Sequence, residues 1–169
     1  MKTLESEDME KPLVVIVMGS ASDEEQARKI VEKLKYFELD YAIRVASAHK
    51  TVEHLVEIVR HYDAMSCEKL YITIAGRSNG LAGVVDGLTS SPTVTCPPYS
   101  QSFGGADIFS SLRMPLGIAP AVILEPENIA MFAARLFAFH YPQVNEKLTL
   151  YIEELRTKVL DADARFARI

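Results

Sequence analysis

Short runs of Val, Ile, Leu and Ala alternate along the chain with segments in which apolar residues recur every three or four positions. Such short apolar runs, bounded by small or polar residues, are typical of buried strands. The pattern predicts five strands, over residues 13–18, 41–45, 70–75, 93–96 and 121–124. Because helical segments separate these strands, we expect a parallel sheet with right-handed crossovers and helices on both faces. The predicted fold class is α/β with a doubly wound sheet.

Helical periodicity marks the segments between and after the strands. Ser22 and Glu25 are spaced as a capping box, which predicts the start of the first helix. The last helix is long and amphipathic, and because earlier helices cover the sheet, we expect it to pack on a neighbouring subunit. The predicted helices lie near residues 27–37, 52–62, 84–88, 128–139 and 143–167.

The composition is that of one ordinary globular domain. The chain has 169 residues, of which 49% are hydrophobic and 24% are charged, and this size and apolar content fit a single core. Residues 1–11 are polar and acidic and are expected to form a loose tail. Residues 12–169 are therefore predicted to form one α/β domain that includes the last helix.

Charge and cysteine content narrow the partners and the location. A formal net charge of -5 without a basic block argues against a nucleic-acid partner. No apolar run approaches the roughly 20 residues of a membrane-spanning helix, and the acidic start lacks a signal peptide's apolar core. Cys67 and Cys96 form no Cys-x-x-Cys motif, and no His or carboxylate pair has ligand spacing, so neither a disulfide framework nor a metal site is indicated. We expect a cytoplasmic protein without a membrane partner.

The first candidate site follows the first predicted strand and has the sequence Gly19-Ser20-Ala21-Ser22-Asp23. Ligands of open parallel sheets bind at this carboxyl edge. Gly19 lets the backbone approach a ligand, hydroxyls and helix N–H groups can surround an anion, and Asp23 can accept from a sugar hydroxyl. The segment is either a phosphate and ribose site or only a tight turn with a helix cap. No Walker or dinucleotide motif is present, which disfavours nucleoside triphosphates and dinucleotides.

The second candidate site follows the second strand and has the sequence Ser47-Ala48-His49-Lys50. Histidine changes charge near neutral pH, so His49 is a candidate for proton transfer, and Lys50 can hold a phosphate. The alternative is an ordinary surface histidine. The other histidines lie in helical patterns or at their ends and have no predicted role: His54, His61 and His140.

The third candidate site follows the third strand and has the sequence Ala-Gly-Arg-Ser-Asn-Gly-Leu at residues 75–81. Two glycines around Arg77, Ser78 and Asn79 allow close approach to a flat ligand and offer several donors. A simple Asn-Gly turn is the alternative, but Arg77 at a buried strand end would then need another anionic partner. Residues 96–99 and 104–105 are expected to border the same cleft.

Together, the three loops resemble the phosphoribosylaminoimidazole carboxylase family of purine biosynthesis. The resemblance extends over about residues 13–139 and includes Ser-Ser-Leu-Arg-Met-Pro at 110–115. One branch of the family rearranges an N-carboxylated aminoimidazole ribonucleotide, and the other carboxylates aminoimidazole ribonucleotide directly with CO2. The rearranging branch has Arg after Ser-Ala-His and Ala-Gly-Gly-Ala-Ala-His-Leu-Pro-Gly in the third loop. With Lys50, and with Gly80 where that loop has its histidine, this chain resembles the direct, class II branch.

The resemblance implies a flavodoxin-like fold and a carboxy-lyase that reversibly converts 5-aminoimidazole ribonucleotide (AIR) and CO2 to 4-carboxy-5-aminoimidazole ribonucleotide. It implies no biotin, ATP or metal, and a homo-octamer, with a tetramer as the alternative. It assigns proton transfer to His49. The implied substrate-binding residues are Gly19, Ser20, Ser22, Asp23, Ser47, Ala48, Lys50, Gly76, Arg77, Ser78, Asn79, Gly80 and Leu81. The mutase of the other branch and a non-catalytic flavodoxin-like module that binds a phosphorylated ligand remain as alternatives.

Overall fold

The computed structural model describes residues 11–167, so the predicted tail lies outside the described residues except for residue 11. The strands are β1 (Leu13–Met18), β2 (Asp40–Val45), β3 (Lys69–Ile74), β4 (Thr93–Thr95) and β5 (Ala121–Val122). The α-helices are α1 (Glu24–Tyr36), α2 (Val52–Asp63), α3 (Gly80–Leu88), α4 (Phe109–Leu112), α5 (Pro126–Phe137) and α6 (Pro142–Phe166). Short 3-10 turns, Ala21–Asp23 and Ser102–Ile108, precede α1 and α4. The predicted alternation of strands and helices is confirmed.

The described strands form one parallel sheet in the order β2-β1-β3-β4-β5. This is the flavodoxin-like order, in which the direction of the crossovers changes between β1 and β3. The strands β2, β1 and β3 end level, because Met18 pairs with Val45 on one side and with Ile74 on the other. The loops after these strands therefore leave the sheet side by side at its carboxyl edge.

The sheet is covered on both faces because successive strand side chains point to opposite sides. Val14 and Ile16 belong to a core under α1 and α5, whereas Val15 and Val17 belong to a second core under α2 and α3. All four side chains are fully buried, and burial of such a side chain stabilises a fold by roughly 1.5–3 kcal/mol. The resulting α/β/α layers fix the strand ends that carry the loops.

Helix α6 is anchored to the domain by its first half. Val144 and Leu148 are buried, and the Tyr151 ring meets Phe37 edge to face with the centroids 5.5 Å apart. Farther along, the apolar side chains of Val159 and Phe166 are 69% and 83% exposed. The second half of the helix therefore presents apolar surface that the described part of this chain does not cover.

The start of α1 differs from the sequence prediction. The Ser20 N–H donates to Asp23 Oδ2 at 3.1 Å, and the Ser22 N–H donates to Ser20 Oγ at 3.3 Å. The capping box is thus formed by Ser20 and Asp23, and the predicted box of Ser22 and Glu25 is wrong. The physical reason is the 3-10 turn before α1, which moves the cap towards the strand and ties Asp23 to the loop after β1.

Candidate active site

The loops after β1, β2 and β3 border one open cleft of about 630 Å³ at the carboxyl edge of the sheet. The cleft lies at the change of crossover direction, where open α/β sheets bind ligands. Twelve of the expected binding or proton-transfer residues line it: Gly19, Ser20, Ser22, Asp23, Ser47, Ala48, His49, Lys50, Gly76, Arg77, Ser78 and Leu81. Asn79 and Gly80 are not among the lining residues.

The loop after β1 packs directly on the start of the loop after β3. The Gly19 N–H donates to the carbonyl of Ile74 at 2.8 Å. A Cβ atom at Gly19 would lie 3.3 Å from the Cβ of Ala75. This distance is tight for two carbon atoms, so the close approach of the two loops favours a residue without a side chain.

Hydroxyl groups and one carboxylate line the cleft after Gly19. Ser20 Oγ accepts from the Ser22 N–H at 3.3 Å and from the Ser22 hydroxyl at 3.0 Å. Among the described residues, no acceptor binds the hydroxyl proton of Ser20 itself, so this proton can be donated to an anionic ligand. Partial burial raises the pKa of Asp23 above its ordinary value, and the hydrogen bond from the Ser20 N–H opposes this rise.

The loop after β2 is a turn organised by Ser47 and Thr51. Thr51 Oγ1 accepts from the Ser47 N–H at 2.9 Å, and Ser47 Oγ accepts from the His49 N–H at 3.3 Å. The side chains of His49 and Lys50 are exposed and line the cleft. Within residues 11–167, Lys50 forms no salt bridge. Its ammonium group therefore remains for an anionic ligand.

Arg77 gives the loop after β3 an unusual backbone conformation. Its φ is 61°, in the left-handed region that non-glycine residues rarely adopt. The Arg77 N–H donates to Asp107 Oδ2 at 3.2 Å, and Ser110 Oγ donates to the Arg77 carbonyl at 2.9 Å. Tertiary hydrogen bonds on both sides thus hold the strained residue. Arg77 lines the cleft, and its guanidinium has no salt-bridge partner in the described part of the chain.

The Asn79 side chain points into the protein and not into the cleft. It is 2% exposed, and its amide donates to Thr95 Oγ1 at 2.8 Å and to Ser111 Oγ at 2.9 Å. Its carbonyl oxygen accepts from the Ala82 N–H at 3.3 Å and caps α3. For this reason α3 begins at Gly80, earlier than the predicted residue 84. The polar atoms of this side chain already have internal partners, so the side chain orients the loop, and a contact of Asn79 with the substrate stays a prediction.

The structure adds residues that the sequence did not assign to the site. Pro98 and Tyr99 line the cleft beyond β4 and belong to the 96–99 segment that was expected at its border, whereas Ser100 was not assigned to the site. Asp107 and Ser110 hold the third loop from 30 and 33 residues farther along the chain. The motif at 110–115 is the sequence signal for Ser110 but not for Asp107, and it does not indicate which loop its serines contact.

A smaller cavity of about 150 Å³ adjoins the cleft. Both spaces are bordered by Gly76, Arg77 and the 98–100 segment. Pro97, Ile108 and Leu124 contribute apolar walls to the smaller cavity, which we call the side cavity. Such walls suit a small uncharged molecule better than an ion.

Two further properties concern residues 11–167. None of their helices combines the length and the apolar character that a membrane-spanning segment requires. No group of three or more His, Cys, Asp or Glu side chains in this range is arranged to hold a metal ion.

Comparison with known proteins gives concordant matches over most of the chain. Residues 13–158 match the family described as AIR carboxylase. The phosphoribosylaminoimidazole carboxylase of Treponema denticola is 51% identical over 158 residues, which cover 94% of this chain and 99% of that protein. The corresponding protein of Archaeoglobus fulgidus is 48% identical over 149 residues, covering 88% of this chain and 82% of that protein. A crystal structure of Treponema denticola PurE superposes with a TM-score of 0.92 at 51% identity, covering 94% of this chain and 100% of that chain.

Proposed function

The chain belongs to the AIR carboxylase family, and from this premise we propose that it carboxylates AIR directly with CO2, with His49 as the general base. As a member of this family it is an enzyme of purine biosynthesis that carboxylates AIR. The use of free CO2, the roles of individual residues, the independence from cofactors and the assembly are our proposals.

One observation carries the assignment of residues: a single cleft combines His49 with two cations that have no salt-bridge partner in the described chain, Lys50 and Arg77. Asp23 is the one carboxylate among the lining residues that the structure describes. The cleft therefore carries an excess of positive charge beside an imidazole. Such a site suits a phosphorylated ligand that undergoes proton transfer.

The ribose phosphate is proposed to bind between the first and second loops. Ser20 and Ser47 each accept a backbone hydrogen bond through the hydroxyl oxygen, which leaves each hydroxyl proton to donate to a phosphate oxygen. Lys50 adds a charge-assisted hydrogen bond. Asp23 uses one carboxylate oxygen to accept from the Ser20 N–H, and the other oxygen can accept from a ribose hydroxyl. The imidazole ring of AIR then lies towards His49 and the third loop.

The proposed reaction needs position and a base from the protein. The amino group of AIR makes C4 electron-rich, so an electron pair of the ring forms a bond from C4 to the carbon of CO2, and one C=O pair moves to oxygen. C4 then carries both a hydrogen and a carboxylate. His49 removes that hydrogen as a proton, and the electrons of the C4–H bond restore the aromatic ring. In the reverse direction, protonated His49 returns the proton to C4 and CO2 leaves.

The side cavity is the proposed site for CO2. Its apolar walls and its border with the third loop support this, because an uncharged gas gains little from an ionic site. Asn79 was expected among the substrate-binding residues, and a role in stabilising the developing carboxylate would require its side chain to face the cleft. Since the Asn79 side chain is buried elsewhere, we assign the stabilisation of the developing carboxylate to Arg77, a residue that borders both the cleft and the side cavity.

We propose that the reaction requires no biotin, ATP or metal, because the ring carbon is itself the nucleophile. The test is carboxylation of AIR by protein that has been dialysed against EDTA, in a buffer without nucleotide and with avidin added. Full activity is expected. Loss of activity that Mg²⁺ or another metal restores would contradict the proposal.

We also propose a homo-octamer, with a tetramer as the alternative. The exposed apolar side chains in the second half of α6 support assembly, as do those of Phe103 and Leu116, because large apolar side chains grouped on a surface often mark an interface. Light scattering should give eight times the chain mass, and a mass of one chain would refute the proposal. A cytoplasmic location is proposed as well, since both cysteines are unpaired thiols, as expected in a reducing compartment.

The decisive experiment supplies AIR with freshly dissolved CO2, with bicarbonate, or with bicarbonate plus carbonic anhydrase. Direct carboxylation predicts an immediate reaction with CO2, and a lag with bicarbonate that carbonic anhydrase removes. Turnover of the N-carboxylated isomer, with none of AIR and CO2, would favour the mutase. Tight binding of AIR without any turnover would favour a non-catalytic module.

A further inference from the structure

The ring of His49 lies against a backbone position that has no side chain. Gly80 is the first residue of α3, and a Cβ atom built on it would lie 3.3 Å from Nε2 and 3.4 Å from Cε1 of His49. The first distance is shorter than ordinary van der Waals contact. Any residue larger than glycine at this position would therefore press on the edge of the imidazole that carries Nε2.

The backbone next to Gly80 is held by hydrogen bonds in the protein interior. The preceding residue, Asn79, is buried and hydrogen-bonded to Thr95 and Ser111, and its carbonyl oxygen caps α3 through Ala82. These bonds connect the loop to β4, to α4 and to its own helix. Because buried polar groups are costly to leave without partners, the loop resists displacement.

A second set of hydrogen bonds, from residues 107 and 110, holds the backbone of the same loop. Asp107 and Ser110 bind the N–H and the carbonyl of Arg77, and Ser110 Oγ accepts from the Asn79 N–H at 3.1 Å. The His49 side chain, in contrast, is exposed, and no hydrogen bond of its ring occurs within the described residues. Crowding between residues 80 and 49 would therefore move the imidazole and leave the loop in place.

We propose that Gly80 is a positioning residue for the proton transfer: the missing side chain at residue 80 gives the His49 imidazole the place from which it takes the proton of C4. This inference rests on the proposed role of His49 as general base. Gly80 is thereby proposed to position the ring of the general base, whereas from the sequence it was expected among the substrate-binding residues.

The test compares Gly80→Ala with Gly83→Ala, which adds the same methyl group to the same helix. A Cβ atom at Gly83 would meet the flexible Met114 side chain, with Sδ at 3.4 Å, and lies away from His49. Gly80→Ala should lower kcat about 10-fold or more through misplacement of the base and leave the KM for AIR within about twofold. Its thermal midpoint should not fall, because alanine favours helix over glycine. Gly83→Ala should keep the wild-type kcat.

A second measurement reports the ring position without catalysis. In protein labelled at histidine Cε1, the His49 resonance is identified by its loss in His49→Asn, and Gly80→Ala should shift it while the resonances of His54, His61 and His140 stay in place. A lower kcat together with this shift supports the inference. An unchanged kcat, or a lower kcat with the His49 resonance unmoved, overturns it. Normal turnover by His49→Asn would instead refute the base itself, whatever the Gly80 variant shows.

Discussion

The amide nitrogen of Asn79 lies 2.9 Å from the hydroxyl oxygen of Ser111, although the two residues are 32 positions apart in sequence. Both side chains are 2% exposed. The contact joins the loop after β3 to α4 and fixes the wall of the cleft that faces His49. This wall is rigid because the side-chain amide of Asn79 is bonded to residues outside the loop.

We expect Asn79→Ala to reduce the free energy of unfolding by about 2 kcal/mol. The variant removes the hydrogen bond to Ser111 Oγ and one of the two hydrogen bonds of Thr95 Oγ1, which still donates to the Thr73 carbonyl. It also removes the cap of α3, and a lost buried hydrogen bond or a lost cap each costs about 1–2 kcal/mol in comparable cases. Urea unfolding at fixed protein concentration measures the change. The matched control is Asn128→Ala, because Asn128 is an exposed residue in the first turn of α5. Equal unfolding midpoints for the two variants would contradict the structural role of Asn79.

His49→Asn should lower kcat for carboxylation by about 10² to 10⁴, the usual contribution of general acid–base catalysis. The KM for AIR should stay near the wild-type value, because the phosphate is proposed to bind other side chains. His54→Asn is the control, since His54 is an exposed residue of α2 outside the cleft. Steady-state kinetics on both variants decide the matter, and wild-type turnover by His49→Asn would remove His49 from the mechanism.

Lys50→Ala should raise the KM for AIR by about 10- to 100-fold, which corresponds to the loss of one hydrogen bond between a charged donor and a phosphate. The effect on kcat should be smaller. Lys35→Ala removes an exposed lysine in the last turn of α1 and serves as the control. Raising the salt concentration should weaken AIR binding in the wild type more than in Lys50→Ala. An unchanged KM in Lys50→Ala would contradict the phosphate role.

The stability difference between the wild type and Asp23→Asn should depend on pH. Burial raises the pKa of Asp23 in the folded protein above the ordinary value of 3.8. Ionisation of Asp23 is thus less favourable in the folded than in the unfolded chain, and it lowers the free energy of unfolding of the wild type. This loss of stability is absent below pH 3.8 and complete once the pH exceeds the pKa in the folded protein. Asn can still accept from the Ser20 N–H. Asp23→Asn should therefore gain stability relative to the wild type as the pH rises to 7.

Urea unfolding of both proteins at about pH 3.5 and at pH 7 measures this difference. A stability difference that is the same at both pH values would show that the environment of Asp23 does not disfavour its charge. Asp40→Asn is a suitable control, because Asp40 is exposed at the start of β2 and outside the cleft. The change measured for Asp23→Asn between the two pH values is compared with that of this control.

The strands were predictable because burial on both faces leaves a direct trace in the sequence. The run from Leu13 to Met18 is apolar throughout, and the predicted boundaries of β1 are those observed. Where burial is weaker the boundaries were less accurate, as in β5, which ends at Val122. Two pairs of residues near the start of α1 have the spacing of a capping box. Ser22 and Glu25 were predicted to form it, but Ser20 and Asp23 do so because a 3-10 turn precedes the helix. Spacing alone does not decide between neighbouring caps.

By itself, the sequence determined the α/β class, the family and the three loops that meet at the carboxyl edge, because apolar periodicity and short motifs are local properties. Only the tertiary structure decided which way each loop side chain points. It placed Asn79 in the interior and Gly80 against His49, and it brought Ser110 to the backbone of Arg77. The hydrogen bonds of Asn79 and Ser110 arise from the packing of β4 and α4 beside β3, and the contact of Gly80 with His49 arises because the loops after β2 and β3 leave the same edge of the sheet. No local pattern encodes either arrangement.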